Sequence, residues 1–268
     1  MKNLLDADRI LHSLADVTRA HLEDLEVFAE TESTNTYLLG QPVPAPGRFR
    51  VALAEHQSAG RGRLNRSWHS TPSSGICLSV SYTFASRPQD FSSLTLAIGA
   101  NVADVLDRLG IRGIGLKWPN DIVIDDGKVG GILTEVLPAP SEGVTVVAGI
   151  GLNVDFRCAD DIDKISSNTG RVTDLASCCD ELPGRSVISA RLIDCVFDAM
   201  LQFSADGFAP FIDMWQRFDW LRGQHIRIEL TDELVPGVAQ GIDVDGTLIL
   251  KTETGRRRIV SGSVLFGA

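Results

Sequence analysis

Basic residues are in deficit. Lys and Arg number 25 against 35 Asp and Glu, giving a formal net charge of −10 over 268 residues. Neutralising phosphates takes a surplus of cations, so bulk electrostatics are not expected to hold nucleic acid here. Any acidic macromolecular partner would have to meet a local basic patch. Long apolar runs are missing too, and no stretch approaches the roughly 20 residues that span a bilayer. The N-terminus, MKNLLDADRILHSLADVTRAHLEDLEVF, scatters charges among its apolar positions. It lacks the unbroken core and cleavage site of a signal peptide. Cysteines are five, at 77, 158, 178, 179 and 195, without a CxxC pair. That pattern fits reduced, buried thiols and not a disulfide frame or a zinc site. A soluble, cytoplasmic protein is expected. A GxxxxGK[ST] loop is absent, and neither glycine cluster completes a dinucleotide fingerprint, so a P-loop ATPase and a dinucleotide fold are not expected. Repeats and low-complexity tracts are lacking as well.

What is present is ordinary globular sequence, 44% hydrophobic and 22% charged, long enough for one large domain and one small one. The apolar spacing predicts a single helix over 4–22, then a strand over 25–29 and a turn at Ser33-Thr34 that caps a short helix. Strands are expected over 50–55 and 75–84, and a helix over 92–109 closed by Gly110. Segments 114–117, 122–124, 128–136 and 144–150 read as a locally connected meander, turning at Asp125-Asp126-Gly127, where Asp-Gly tolerates positive φ. Such short connections favour a mixed, largely antiparallel sheet over a doubly wound one. Helices over 187–203 and 208–218 would cover it. After Gly223 the chain breaks into short strands joined by Gly, Asp and Thr turns, the pattern of a small barrel. The expected domains are 1–222 and 223–268. An edge strand near Gly149–Asn153 offers a surface for a weak dimer, a monomer being the alternative.

Four clusters carry chemistry. Between two strands lies EHQSAGRGRLNRSW (55–68), with Arg61, Arg63 and Arg66, Gly60 and Gly62, and Trp68. Glycines let backbone N–H groups approach an anion, and guanidinium forks bond paired oxygens of phosphate or carboxylate. On their own these residues fit a flexible RG-rich loop with solvated charges, or a nucleic-acid patch, better than a built site; their place between two buried strands of an acidic protein favours the site. In Lys117-Trp118-Pro119-Asn120-Asp121 the proline restricts its neighbours; Lys117 suits a phosphate, Asn120 offers an amide, and Asp121 could hold magnesium or orient an amine. The remaining two are Lys128-Val129-Gly130-Gly131-Ile132-Leu133 and Gly149-Ile150-Gly151-Leu152-Asn153. Glycines inside strands are tolerated where a ligand or another backbone comes close.

In this order the Ser33-Thr34-Asn35 turn, the GRGR loop, KWPND, KVGGIL and GIGLN closely resemble the biotin protein ligase family. The resemblance covers essentially the whole chain. It implies an α+β catalytic domain of the class II synthetase type, followed by a small SH3-like barrel. It also implies an activity: biotin and ATP give biotinyl-AMP, and biotin then passes to a lysine of a carboxylase's biotin carboxyl carrier domain. By resemblance Ser33, Thr34 and Gln57 contact the ureido ring, with Asn35 in the same turn. Arg61, Gly62, Arg63 and Lys128 surround the biotin carboxylate and the α-phosphate, while Gly131 and Leu133 line the pocket. Arg63, Arg66, Trp68, Lys117, Asn120 and Asn153 serve the nucleotide. Arg63, Lys117, Asp121 and Lys128 form the catalytic set, with Asp121 near the Mg2+ that accompanies ATP or near the incoming amine.

Mutual repulsion among its charges predicts a loop that is mobile without ligand and orders on the adenylate. Many family members have glycine where Asn65 stands, which implies a stiffer loop here. Only one helix precedes Ser33, so transcriptional repression is not expected. The terminal Val264-Leu265-Phe266-Gly267-Ala268 has no basic residue for a charge contact to the nucleotide. A lipoate or octanoate ligase and a non-catalytic biotinyl-adenylate sensor are the competing readings.

Overall fold

The computed structural model describes residues 4–138, 143–158 and 171–266. Its centre is a seven-stranded sheet in the order β1-β2-β3-β7-β6-β5-β4. These strands are β1 (Leu22–Phe28), β2 (Phe49–Ala54), β3 (Gly75–Phe84), β4 (Ile114–Lys117), β5 (Asp121–Ile124), β6 (Gly127–Pro138) and β7 (Val144–Asn153). Only β1 and β2 pair in parallel; the rest of the sheet is antiparallel. The expected α+β class with a mixed, largely antiparallel sheet is therefore observed.

Alternation sends neighbouring side chains to opposite faces of each strand. Val51 and Leu53 join the main core, while Ala52 meets Leu38 of helix α3 (Thr34–Leu39) on the other side. The main core is covered by α4 (Leu94–Arg108) and α5 (Arg185–Asp206), with α6 (Ile212–Phe218) beyond. The C-terminal unit is a second, five-stranded antiparallel sheet, β11-β10-β9-β8-β12. Its strands are β8 (His225–Glu229), β9 (Leu234–Ile242), β10 (Leu248–Thr252), β11 (Gly255–Ile259) and β12 (Ser263–Leu265). One apolar cluster runs from the large sheet into this small one, taking in Leu116 and Trp118 as well as Ile226, Leu248 and Val264.

Three sequence expectations are corrected. The helix expected over 4–22 is two, α1 (Ala7–Ser13) and α2 (Asp16–His21), because Leu14 and Ala15 are extended and the Ala15 N–H donates to Asp194 of α5. The tertiary partner outweighs the local periodicity. The segment Gly149–Asn153 has no open edge, since β7 lies between β3 and β6. At the 125–127 turn the positive φ, 53°, falls on Asp125 and not on the glycine.

Candidate active site

A cleft of about 1380 Å3, counting its open mouth, lies where β6, β7, the 55–68 loop and the Lys117–Asp121 turn meet. Every residue assigned to the site by sequence lines it. At one end sits a neutral, buried hydrogen-bonding group. Ser33 caps α3, its hydroxyl accepting from the Thr36 N–H. Gln57 Oε1 accepts from the Thr34 N–H at 2.8 Å and from the Thr34 hydroxyl at 3.1 Å. Ser79 Oγ lies 2.7 Å from Thr34 Oγ1 and 2.6 Å from Asn35 Oδ1; having one proton, it donates to one of them at a time. Such a group suits a compact polar ring, because a buried donor or acceptor left unpaired costs about 1–3 kcal/mol.

The other end is cationic. Lys128 Nζ donates to Asp121 Oδ1 at 2.6 Å and lies 5.9 Å from the centre of the Trp68 ring system. Arg63 Nη1 donates to Asn120 Oδ1 at 3.3 Å, and the Asn120 amide donates to the Ile132 carbonyl at 2.9 Å. Burial holds the Arg63 guanidinium below the usual arginine range, opposed by Asp121 and reinforced by Arg66. Burial is also the main cause that lowers the Lys117 ammonium; Lys128 and Arg66 lower it further, while Asp121 works the other way. Cations made less stable in this way gain most from an incoming anion. Asn153 donates to the Thr173 carbonyl at 3.1 Å, and backbone bonds of 2.9 Å tie Lys128 to Arg171 and Thr173, placing Val172 at the cleft wall.

The loop folds on itself as a hairpin, with Gly62 N–H to Arg66 O at 2.7 Å and Trp68 N–H to Gly60 O at 2.9 Å. Leu64 and Asn65 take φ of 53° and 57° at its tip. Asn is among the residues that reach this left-handed region most readily, so Asn65 substitutes for glycine at a modest cost. One of the loop's charges is offset, Arg61 Nη2 pairing with Glu135 at 2.7 Å, while Arg66 still opposes the charge of Arg63.

The two glycines of GIGLN have separate reasons. A Cβ on residue 149 would stand 2.3 Å from Asn35 Oδ1, and one on residue 151 would stand 2.4 Å from the Trp68 indole. The first leaves space for the turn at the neutral end; the second lets Trp68 lie against the sheet. Trp68 is partly buried for this reason.

Against this geometry the comparisons are specific. Residues 27–155 match the biotin/lipoate A/B protein ligase family, and residues 222–267 match the biotin protein ligase C terminal domain. The bifunctional ligase/repressor BirA of Salmonella typhimurium is 31% identical over 253 residues, covering 93% of this chain and 74% of that protein. The chain belongs to the biotin protein ligase family. The biotin--[acetyl-CoA-carboxylase] ligase of Paracoccus denitrificans is 32% identical over 254 residues, covering 90% of this ligase and all of that one. A biotin protein ligase from Aquifex aeolicus in complex with biotin and ATP superposes with a TM-score of 0.74 at 26% identity, over 91% of this chain and 98% of that one.

Several site residues of this ligase escaped the sequence. Ser79 and Glu135 sit in apolar strands, where only the alternation hints that a polar side chain faces inward. The small sheet supplies Gly262, Ser263, Val264 and Leu265 to the cleft. Phe266 lies under the Lys117 ammonium, 4.9 Å from its ring centre. The C-terminal segment, which has no basic residue, thus reaches the cationic end through an aromatic ring.

Proposed function

We propose that this chain joins biotin to ATP, forming biotinyl-5'-AMP and pyrophosphate, and then transfers biotin to a lysine of a biotin carboxyl carrier domain. The observation that carries the reading is one cleft with a neutral, buried hydrogen-bonding end and a cationic end, in a chain whose two family matches cover 27–155 and 222–267. The match to the biotin-specific C-terminal domain favours biotin over lipoate or octanoate. Residues 1–222 are taken as the catalytic unit and 223–268 as the C-terminal unit.

In this assignment Ser33, Thr34, Asn35 and Gln57 form the ureido end, and Gly131 and Leu133 flank the acyl chain. Arg63, Lys117 and Lys128 offset the charge that accumulates when a carboxylate oxygen attacks the α-phosphorus. That attack forms a new P–O bond as the bond to pyrophosphate breaks. Alignment of two anions that would otherwise repel supplies much of the remaining acceleration. Arg66, Trp68, Asn120 and Asn153 are assigned to the nucleotide, and Arg61 and Gly62 to the turn beside the carboxylate. In the second step a neutral lysine amine attacks the acyl carbon, the C–O bond to AMP breaks, and the amine's proton leaves. The free amine has a pKa of about 10.4, so it must lose a proton first.

A protein-held magnesium finds little support. Asp121 is the one acidic side chain among the described residues lining the cleft, and Lys128 occupies it at 2.6 Å. No group of three or more possible ligands occurs among the described residues. Magnesium is therefore assigned to the incoming ATP, and Asp121 to its ion pair with Lys128. No helix among the described residues is long and apolar enough to cross a membrane. The test is direct: incubate the protein with biotin, Mg-ATP and a carrier domain, and look by mass spectrometry for the adenylate and for a biotinylated lysine. Product with lipoate but none with biotin would select the lipoate-type ligase instead.

A further inference from the structure

Gly115 and Lys117 alternate onto one face of β4. A Cβ on residue 115 would stand 2.9 Å from the Trp220 Cβ, so the bare backbone there leaves Trp220 a seat beside Lys117. The backbone of Trp220 is held at the same place. Its N–H donates to the Leu116 carbonyl at 3.1 Å, and Asp219 pairs in parallel with Leu116. Strand β4 is the last of the large sheet, and this short run between α6 and β8 pairs onto it from the link between the two units.

Phe266, directly after β12, meets Trp220 edge to face, with ring centres 5.2 Å apart and planes at 71°, a favoured aromatic geometry. The same Phe266 ring lies 4.9 Å from the Lys117 ammonium. We propose that Trp220 is a positioning residue: it holds the Phe266 ring against Lys117, so that the link between the units sets where that ammonium points.

Both partners need the support. Phe266 follows a three-residue strand and is 41% exposed, whereas Trp220 packs against the main core. Trp220 therefore supplies the backing that the terminal strand does not. Lys117 has a flexible four-carbon stem with much rotamer freedom to lose. Its nearest carboxylate, Asp121, is taken by Lys128 at 2.6 Å, and among the described residues Lys117 makes no ion pair. An aromatic face is the guide that remains to it. The consequence for ATP rests on the biotin-activating reading above, whereas the positioning itself does not.

The experiment has two arms. In the first, ligand-free protein carrying lysine labelled with carbon-13 at Cε is followed by NMR, with Lys117 assigned from Lys117→Arg. The Phe266 ring should displace the Lys117 ε-methylene signal upfield, and Phe266→Ala should abolish that displacement. Trp220→Leu, which fills the space over Gly115 without an aromatic edge, should abolish most of it although Phe266 is still present. Trp220→Phe should keep most of it. Gly115→Ala, which pushes on Trp220, should reduce it, and decides by the same signal if Trp220→Leu fails to fold. A wild-type signal in the deciding variant, or no displacement in the wild type, would overturn the proposal.

In the second arm, Trp220→Leu should raise KM for ATP in adenylate formation about two- to fivefold, as expected for one lost cation–π contact, with KM for biotin unchanged. Phe266→Ala should do the same and the double variant no more; effects that multiply would overturn a single path through Phe266. No adenylate from the wild type, together with a lost displacement in Trp220→Leu, would overturn the functional reading and leave the positioning standing.

Discussion

Lys128 and Asp121 face each other across adjacent strands, ammonium to carboxylate at 2.6 Å, with the Trp68 ring close by. The pair keeps a partly buried cation in place until a phosphate can compete for it. Lys128→Ala is expected to slow biotinyl-AMP formation by a factor of about 100–1,000, the usual cost of one lost oxyanion donor, with the fold intact by circular dichroism. Wild-type adenylation in that variant would exclude Lys128 from the chemistry.

The glycines of β7 should separate the two ends of the cleft. Gly149→Ala pushes on Asn35 and should raise KM for biotin; Gly151→Ala pushes on the Trp68 indole and should raise KM for ATP. Overpacking of this kind costs about 1–3 kcal/mol. Measuring both KM values in both variants checks the assignment, and identical effects on the two substrates would contradict it.

Lys117 sets an alkaline limit. Its pKa is lowered by burial, so it loses its proton below the ordinary lysine range. Only the cation can offset phosphate charge, so kcat/KM for ATP should be full below that lowered pKa and fall as pH rises through it. Free-enzyme ionisations appear in kcat/KM. Lys117→Arg, which stays charged, should move the fall to higher pH. A profile unaffected by that substitution would remove Lys117 from the role.

Phe266 should matter to the nucleotide without touching the fold of the large sheet. A cation–π contact at a partly exposed site is worth about 0.5–1 kcal/mol, so Phe266→Ala should raise KM for ATP roughly two- to fivefold. Biotin binding measured by calorimetry without ATP should not change.

Stability should depend on a pair far from the chemistry. Arg185, 2% exposed, bonds both carboxylate oxygens of Glu55 at 3.0 and 2.8 Å and the Gly75 carbonyl at 3.0 Å. Glu55 also begins the arginine loop. Removing Arg185 takes the cation from a partly buried carboxylate, which keeps its bond from the Leu5 N–H, so Arg185→Ala should cost about 3 kcal/mol, read as a shift of the urea unfolding midpoint.

Much of this was legible in the sequence because the motifs are local. KWPND, KVGGIL and GIGLN each place their polar residues through a short stretch of strand or turn, and the meander that joins them has short connections. The Asp-Gly turn and the breakdown into short strands after Gly223 were equally local. What could not be read depends on distant partners. The break at Leu14-Ala15 needs Asp194, the order of strands around β7 needs the whole sheet, and the partners of Glu135, Arg61 and Asn35, stand 74 and 100 residues away. Spacing carries no information about such pairings until the sheet order is known.

The Trp118 indole donates to the Gly246 carbonyl at 3.1 Å, and residues 262–265 line the cleft. All seven strands of the large sheet are already written by Asn153. A chain growing from its N-terminus therefore has the floor of the cleft long before it has the far wall. Chains stopped before β12 would hold the arginines and lysines but no finished chamber around them, so the reactive adenylate would meet bulk water. The chamber is finished only once β12 has been added.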